Sequence, residues 1–275
     1  MIAGLPMYDW PEVAGALDDL WHHVRDRLHA RGVAAPSALS RPADTDALWR
    51  DPALILGQVC SLNPVRDGLG ETEVVGTLVY EPPPDLPPCA PGDYYSVIVR
   101  RRGAAGLADP SDLSGARVAA NGTDSQSGYW SLGHHVRHRL TDGPLFGEVL
   151  FTGSHRASIV AVAGGRADIA AVDVHSWRLA LAHEPAAAEL AVVGTTSPTP
   201  GVACVVSWEN ATLRAPVDAA LGEALTELAG TPVLDALHLR GYRTRRLEEF
   251  GVVADRVALA DKHPWHRRPR TSDGP

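Results

Sequence analysis

Short apolar runs recur along this chain, and most are followed by a polar turn and then by a stretch with helical periodicity. Leu54 to Cys60, Thr72 to Tyr80, Tyr94 to Arg101, Ala116 to Ala120, Gly147 to Phe151, Ala167 to Val172, Leu190 to Gly194 and Val202 to Ser207 all read as strands. Ile2 to Met7 and Ala34 to Leu39 are shorter candidates. Between them lie helices. From Glu12 to Arg31, Val13, Leu17, Leu20, Trp21, Val24 and Leu28 recur at three- and four-residue steps, and Gly32 ends the pattern. Asp9 and Pro11 are the start signals expected for this helix. Further helices are predicted at Asp44 to Trp49, Tyr129 to Leu140, Ala157 to Gly164, His175 to His183, Leu213 to Leu228 and Thr231 to Arg240. Alternation of this kind makes the fold class α/β.

The chain has 275 residues, enough for one large domain or two lobes, and a natural break falls near Val97 to Arg102. Hydrophobic residues make up 45% and charged residues 21%, so the chain can bury a sizeable core. The net charge of −8 argues against nucleic acid or an anionic membrane surface as partner. No run reaches the roughly 18–20 apolar residues of a membrane span. Met1 leads directly into Ile2-Ala3-Gly4-Leu5-Pro6 without the basic start of a signal peptide. The expectation is a cytoplasmic protein as written, or a periplasmic or cell-surface one if a leader was removed. Cys60, Cys89 and Cys204 are too few for a disulfide framework; Cys60 and Cys89 border loops and could pair in an oxidising compartment. Glu81 to Pro91 holds six prolines and reads as an extended surface loop, and Lys262 to Pro275 as a mobile basic tail.

The polar residues of the middle segment gather after three strands, at Ala120, Phe151 and Val172. In open α/β sheets ligands bind beyond the carboxyl ends of strands, so these turns can face one crevice. Asn121 to Tyr129 is the richest of them. Ser125 and Ser127 stand at a strand-to-helix junction, where unpaired N–H groups and the helix dipole can hold an anion. A plain N-cap is the other reading of the same serines. Asp173 likewise divides between capping the next helix and facing a ligand. His155 follows Thr152-Gly153-Ser154 at a strand end and suits a ligand contact whose strength varies with pH. Ser154, His155 and Asp173 include the residue types of a hydrolase triad. Adjacent Ser and His rarely point at each other, and no nucleophile-elbow motif is present. His22-His23, His134-His135-His138 and His263/His266 lack the spacing and acidic partner of a zinc site. No catalytic residue, metal or cofactor is expected.

Four motifs stand in order across about residues 90 to 205. They are Tyr94-Tyr95-Ser96-Val97-Ile98-Val99-Arg100, Asp124-Ser125-Gln126-Ser127-Gly128-Tyr129, Phe151-Thr152-Gly153-Ser154-His155-Arg156-Ala157-Ser158 and Gly165-Arg166-Ala167-Asp168-Ile169-Ala170-Ala171-Val172-Asp173. Together they resemble the phosphonate/phosphite/phosphate-binding protein family of ABC importers, which are type II periplasmic binding proteins. Residues 1 to 80 fit more loosely. The resemblance implies two lobes joined by two crossover strands, with residues 1–97 plus 197–275 in the first lobe, 98–196 in the second, and a ligand cleft between them. It implies an anion turn at Ser125-Gln126-Ser127, where Gln126 replaces the family's Thr and exchanges a hydroxyl for a longer amide. It also implies anion contacts from Ser154 and His155, an aromatic at Tyr94 or Tyr95, and an acid at Asp173 that meets an amine on the ligand. Tyr8 and Gln58 end strands of the first lobe and can line the cleft, although Tyr8 equally suits a half-buried structural role. The function so implied is capture of a small oxyanion for an ABC permease by a monomer that closes around it. The alternative is a cytoplasmic sensor or small-molecule enzyme of the same fold.

Overall fold

The computed structural model describes residues 1–66, 72–104, 113, 115–137, 144–262 and 265. The chain divides into two compact units, Met1–Tyr94 with Pro198–Ala254, and Tyr95–Ser197 with Asp255–Pro275. It passes from one to the other after Tyr94, after Ser197 and after Ala254.

The first unit opens with β1 (Ile2–Gly4), α1 (Ala14–Ala30), α2 (Thr45–Trp49), β2 (Leu54–Val59), β3 (Thr72–Tyr80) and β4 (Asp93–Tyr94). The second unit contains β5 (Ser96–Arg101), β6 (Arg117–Ala120), α3 (Ser131–Arg137), β7 (Glu148–Phe151), α4 (His155–Ala163), β8 (Ile169–Asp173), α5 (Val174–His183) and β9 (Leu190–Thr195). The chain then returns through β10 (Thr199–Pro200), β11 (Ala203–Ser207), α6 (Arg214–Glu227), α7 (Pro232–Ala236) and β12 (Leu239–Thr244). It ends in α8 (Gly251–Ala260), within which the boundary between the units falls.

In the first unit the sheet order is β1-β2-β11-β3-β12 among the described residues. β1 runs parallel to β2, and the other pairings are antiparallel. Every residue of β2 is buried, as its Leu54-Ile55-Leu56 run requires of a strand inside the sheet, and the polar Gln58 is buried with them. α1 buries Leu17, Leu20, Trp21, Val24 and Leu28, the stripe its periodicity defines.

In the second unit the order is β7-β6-β8-β5-β9 among the described residues. β7, β6 and β8 are parallel neighbours, so their carboxyl ends share one edge of the sheet. β5 runs antiparallel to β8 with Ser96 opposite Asp173, which brings the start of β5 to the same edge. Ile98, Val118, Ala120, Tyr129, Leu132, Phe146, Ile169 and Ala171 form its core together with Ala260 and Trp265 from the C-terminal segment.

Several expectations change. Ala34 to Leu39 is irregular rather than a strand; α1 holds it, with Trp21 Nε1 donating to the Pro36 carbonyl at 3.2 Å. Asp9 does not cap α1, which starts after Val13; its carboxylate pairs with Arg41 instead. The helix expected over Thr231 to Arg240 is only α7, because His238 takes φ 50° and turns the chain into β12. Cys60 and Cys89 are not joined by a disulfide; the Cys89 thiol donates to the Asp93 carbonyl at 3.1 Å. The resemblance left all of 197–275 with the first lobe, whereas the described residues 255–262 and 265 group with the second unit. Trp265 is buried rather than part of a mobile tail. His138, His263, His266 and the rest of the expected tail beyond Lys262 lie outside the described residues.

Candidate ligand-binding site

Three turns at the carboxyl edge of the second sheet carry most of the candidate residues. After β6, the Ser125 hydroxyl accepts from Gly128 N–H at 2.9 Å and caps the helix start. The helix begins as one wide turn, in which Trp130 N–H reaches the Ser125 carbonyl at 3.2 Å before α3 takes the normal pitch. Such wide turns recur at functional sites. Gln126 and Ser127 are buried in this turn. The Ser127 carbonyl accepts from two hydroxyls, Ser131 Oγ at 2.7 Å and Ser96 Oγ at 2.8 Å.

The second turn follows β7. Gly153 takes φ 84°, a conformation that suits glycine, and Ser154 caps α4 by accepting from Ala157 N–H at 3.1 Å. His155 is the first residue of α4. Thr152 and Gly153 donate their N–H groups to the carbonyls of Ala120 and Asn121, locking this turn to the first.

The third turn follows β8. Asp173 Oδ1 accepts from the N–H groups of His175 and Ser176, and Oδ2 accepts from Ser176 Oγ at 2.5 Å. Asp173 therefore caps α5. It also faces His155, whose Nε2 lies 3.1 Å from Asp173 Oδ2 and 2.9 Å from Ser127 Oγ. Ser127, His155 and Asp173, one from each turn, thus meet at a single ring nitrogen.

A carboxylate only accepts, so Nε2 must carry the proton that faces Asp173. Burial pushes the His155 pKa down from 6.5, against the pull of Asp173 and the Ala171 carbonyl in the other direction. The ring is neutral near pH 7, and Nδ1 is then a bare acceptor; it is buried and has no hydrogen-bond partner. This is not the geometry of an acyl-transfer triad. That chemistry sets the nucleophile and the acid on opposite ring nitrogens, whereas here both address Nε2. Among the described residues no cluster of His, Cys, Asp or Glu can hold a metal ion. No helix of the described chain is long and apolar enough to cross a membrane.

The structure therefore brings Ser127, His155 and Asp173 together, with Ser125, Gln126 and Ser154 in the same turns. Tyr95 adjoins them through its backbone carbonyl, which accepts from Val174 N–H at 2.9 Å. Tyr8, Gln58 and Tyr94 belong to the first unit. There Tyr8 packs edge-on against Tyr80, with ring centroids 4.9 Å apart, and Gln58 Nε2 donates to Tyr80 OH at 3.1 Å. Tyr94 OH lies 2.9 Å from Ser61 Oγ. Ser61, Tyr80, Ser96 and Ser131, which bond to these residues, were not among the expected site residues. Ser131 was open to detection, since it lies one helical turn beyond Ser127.

Residues 81–250 match the family model described as "ABC transporter, phosphonate, periplasmic substrate-binding protein". No curated protein matches the sequence. Among solved structures, XAC2383 from Xanthomonas citri bound to chloride superposes with a TM-score of 0.71 at 15% identity, over 95% of this chain and 97% of that one. PhnD1 from Prochlorococcus marinus in complex with methylphosphonate gives 0.69 at 14% identity, over 95% and 98%. A binding-protein component of an ABC phosphonate transporter from Pseudomonas aeruginosa gives 0.67 at 15% identity, over 95% and 86%. These likenesses show the two-lobed periplasmic-binding-protein fold.

Proposed function

The chain belongs to the family of periplasmic substrate-binding proteins of phosphonate ABC transporters, and from that premise we propose that it captures a small phosphonate-, phosphite- or phosphate-like oxyanion for an ABC importer. The observation that carries the reading is the convergence of Ser127, His155 and Asp173 from three strand-end turns on one ring nitrogen. Desolvating an oxyanion is costly, so its site must present several fixed donors at once. The first turn of a helix supplies N–H groups with no intrahelical partner, and its dipole favours negative charge. With Nε2–H directed at Asp173, the Ser127 hydroxyl keeps its own proton to donate to a ligand oxygen. Gln126 adds an amide in the same turn.

Asp173 spends its carboxylate on the α5 cap and on His155, so its part is to orient the imidazole. Tyr94, Tyr95, Tyr8 and Gln58 are further ligand contacts in this reading. Methylphosphonate and chloride, the ligands of two relatives, are likewise an oxyanion and an anion. The protein works by recognition and carries out no covalent chemistry, as a monomer with an ABC permease as its partner.

Calorimetric titration with methylphosphonate, phosphite, phosphate and sulfate tests this. Ser127→Ala and His155→Ala should each abolish binding of the preferred anion while circular dichroism stays that of the folded parent. A parent that binds none of the four, or two variants that bind as the parent does, would overturn the reading.

A further inference from the structure

Ser96 is buried at the head of β5, with 1% of its surface exposed, and its side chain and backbone engage two different parts of the second unit. Its hydroxyl donates to the Ser127 carbonyl at 2.8 Å, inside the turn assigned to the anion. Its N–H donates to Thr196 Oγ1 at 2.9 Å, and its carbonyl accepts from Thr196 N–H at 2.8 Å. Its strand partner across β8 is Asp173.

Ser96 and Thr196 also have a particular place in the connectivity. Two of the three crossings between the units fall after Tyr94 and after Ser197. Each residue of the pair lies within two positions of one crossing, and the two hydrogen bonds between them tie the crossing segments together. A rotation of the crossing segments must turn Ser96, and Ser96 holds the carbonyl of the residue whose hydroxyl faces His155. Ser131 also donates to that carbonyl from the next turn of the same helix, and its Oγ lies 3.3 Å from Ser96 Oγ, but Ser131 itself stands at neither crossing.

We propose that Ser96 is a positioning residue that couples occupation of the Ser127 turn to the crossing segments, a proposal that rests on the oxyanion-capture reading above. Linkage requires the coupling to run both ways. An anion that fixes Ser127 biases the crossing segments towards the closed arrangement, and their closure presents Ser127 to the anion. If Ser96 only satisfied a buried carbonyl, its loss would affect stability and leave closure intact.

The test uses the full chain with methylphosphonate as probe, and phosphite and phosphate as further ligands. Affinity is read by calorimetry and compaction by the radius of gyration in X-ray scattering, with and without saturating ligand. Ser96→Ala should weaken binding by about 5- to 20-fold and should lose most of the ligand-induced compaction even at saturation. Ser96→Thr keeps the hydroxyl and should restore both. Ser131→Ala should weaken binding yet compact fully once saturated. A saturated Ser96→Ala protein that compacts like the parent overturns the coupling and leaves oxyanion capture standing. A parent that binds none of the three anions overturns both. Should Ser96→Ala fail to fold, Ser96→Cys keeps the volume and replaces the hydroxyl by a weak thiol donor to the same Ser127 carbonyl, and unchanged affinity with full compaction in that variant overturns the proposal equally.

Discussion

His155 Nε2 stands 3.1 Å from Asp173 Oδ2, and that carboxylate is already committed to the first turn of α5. The acid fixes which ring nitrogen bears the proton, and burial keeps the ring from charging near neutral pH. Nδ1 is left as a buried nitrogen without a partner. An oxyanion that meets it must bring a proton of its own or find the ring charged.

Binding should accordingly depend on protons. A monoprotonated phosphonate can donate its hydroxyl to Nδ1, whereas a dianion needs His155 to take up a proton. Affinity should fall as pH rises above neutral, by up to about tenfold per unit where one proton is taken up. Calorimetry in buffers of different ionisation enthalpy measures the proton directly; pH-independent binding would contradict this. Stability should move the opposite way. The folded pKa lies below the unfolded value of about 6.5. The unfolded chain therefore binds the extra proton, and stability from this group, complete above that value, is lost as pH falls through it towards the folded pKa. Urea midpoints of the ligand-free protein between pH 7.5 and 5 report it, and His155→Gln should flatten that slope.

Asp173→Asn separates the roles of this acid. Asparagine can still accept from the α5 amides through its carbonyl. Its NH2 group would then face Ser176 Oγ and His155 Nε2–H, placing a donor against a donor. The imidazole must change tautomer or swing away. Stability should drop by about 1–3 kcal/mol for a buried polar group left mismatched. Anion affinity should fall at least tenfold, as measured by chemical denaturation and calorimetry on the same protein. Affinity equal to the parent's would mean that His155 needs no orienting acid.

Much of this was legible in the residues. The stripe from Leu17 to Leu28 and the apolar runs of β2, β3 and β8 follow directly from periodicity and burial. The capping and ligand readings of Asp173 looked like alternatives, but the carboxylate caps α5 and also holds His155, the proposed ligand contact. β12 was hidden because Arg240 and Arg243 interrupt its apolar character, as suits a strand at the sheet edge. Ser96 could not be singled out, since its importance depends on a register that sets it opposite Asp173, far along the chain. Trp265 was lost in a basic segment with no periodicity to mark it.

Arg245 should prove a strong point of stability in the first unit. Its guanidinium is 4% exposed and pairs with Asp93 and, at 3.0 Å, with Glu249. It also donates to Thr77 Oγ1 at 3.1 Å. Arg245→Met keeps most of the volume but leaves two carboxylates without their shared cation. Because both acids retain some solvent, the cost should fall below that of a fully buried pair, at about 2–3 kcal/mol. Urea denaturation measures it, and an Asp93→Asn/Arg245→Met double variant should recover part of the loss.

Trp265 links the C-terminal segment to the turn that carries Ser127. Its ring stacks on Tyr129 with centroids 3.6 Å apart and planes 14° apart, and meets Trp130 edge-on at 5.4 Å. Its carbonyl accepts from Phe146 N–H at 2.9 Å. Gly133, one helical turn beyond Tyr129, makes room for it, because a Cβ there would collide with the indole. Trp265→Ala should cost about 3–5 kcal/mol, as for other buried aromatics truncated to alanine. Gly133→Ala should also expel the ring, giving a red-shifted tryptophan emission and a comparable loss in a urea melt. Tyr129 lies two residues from Ser127, so both variants should weaken methylphosphonate binding several-fold even where the protein stays folded. An unchanged affinity in a folded Gly133→Ala protein would show that the C-terminal anchor supports the core of the second unit without reaching the anion turn.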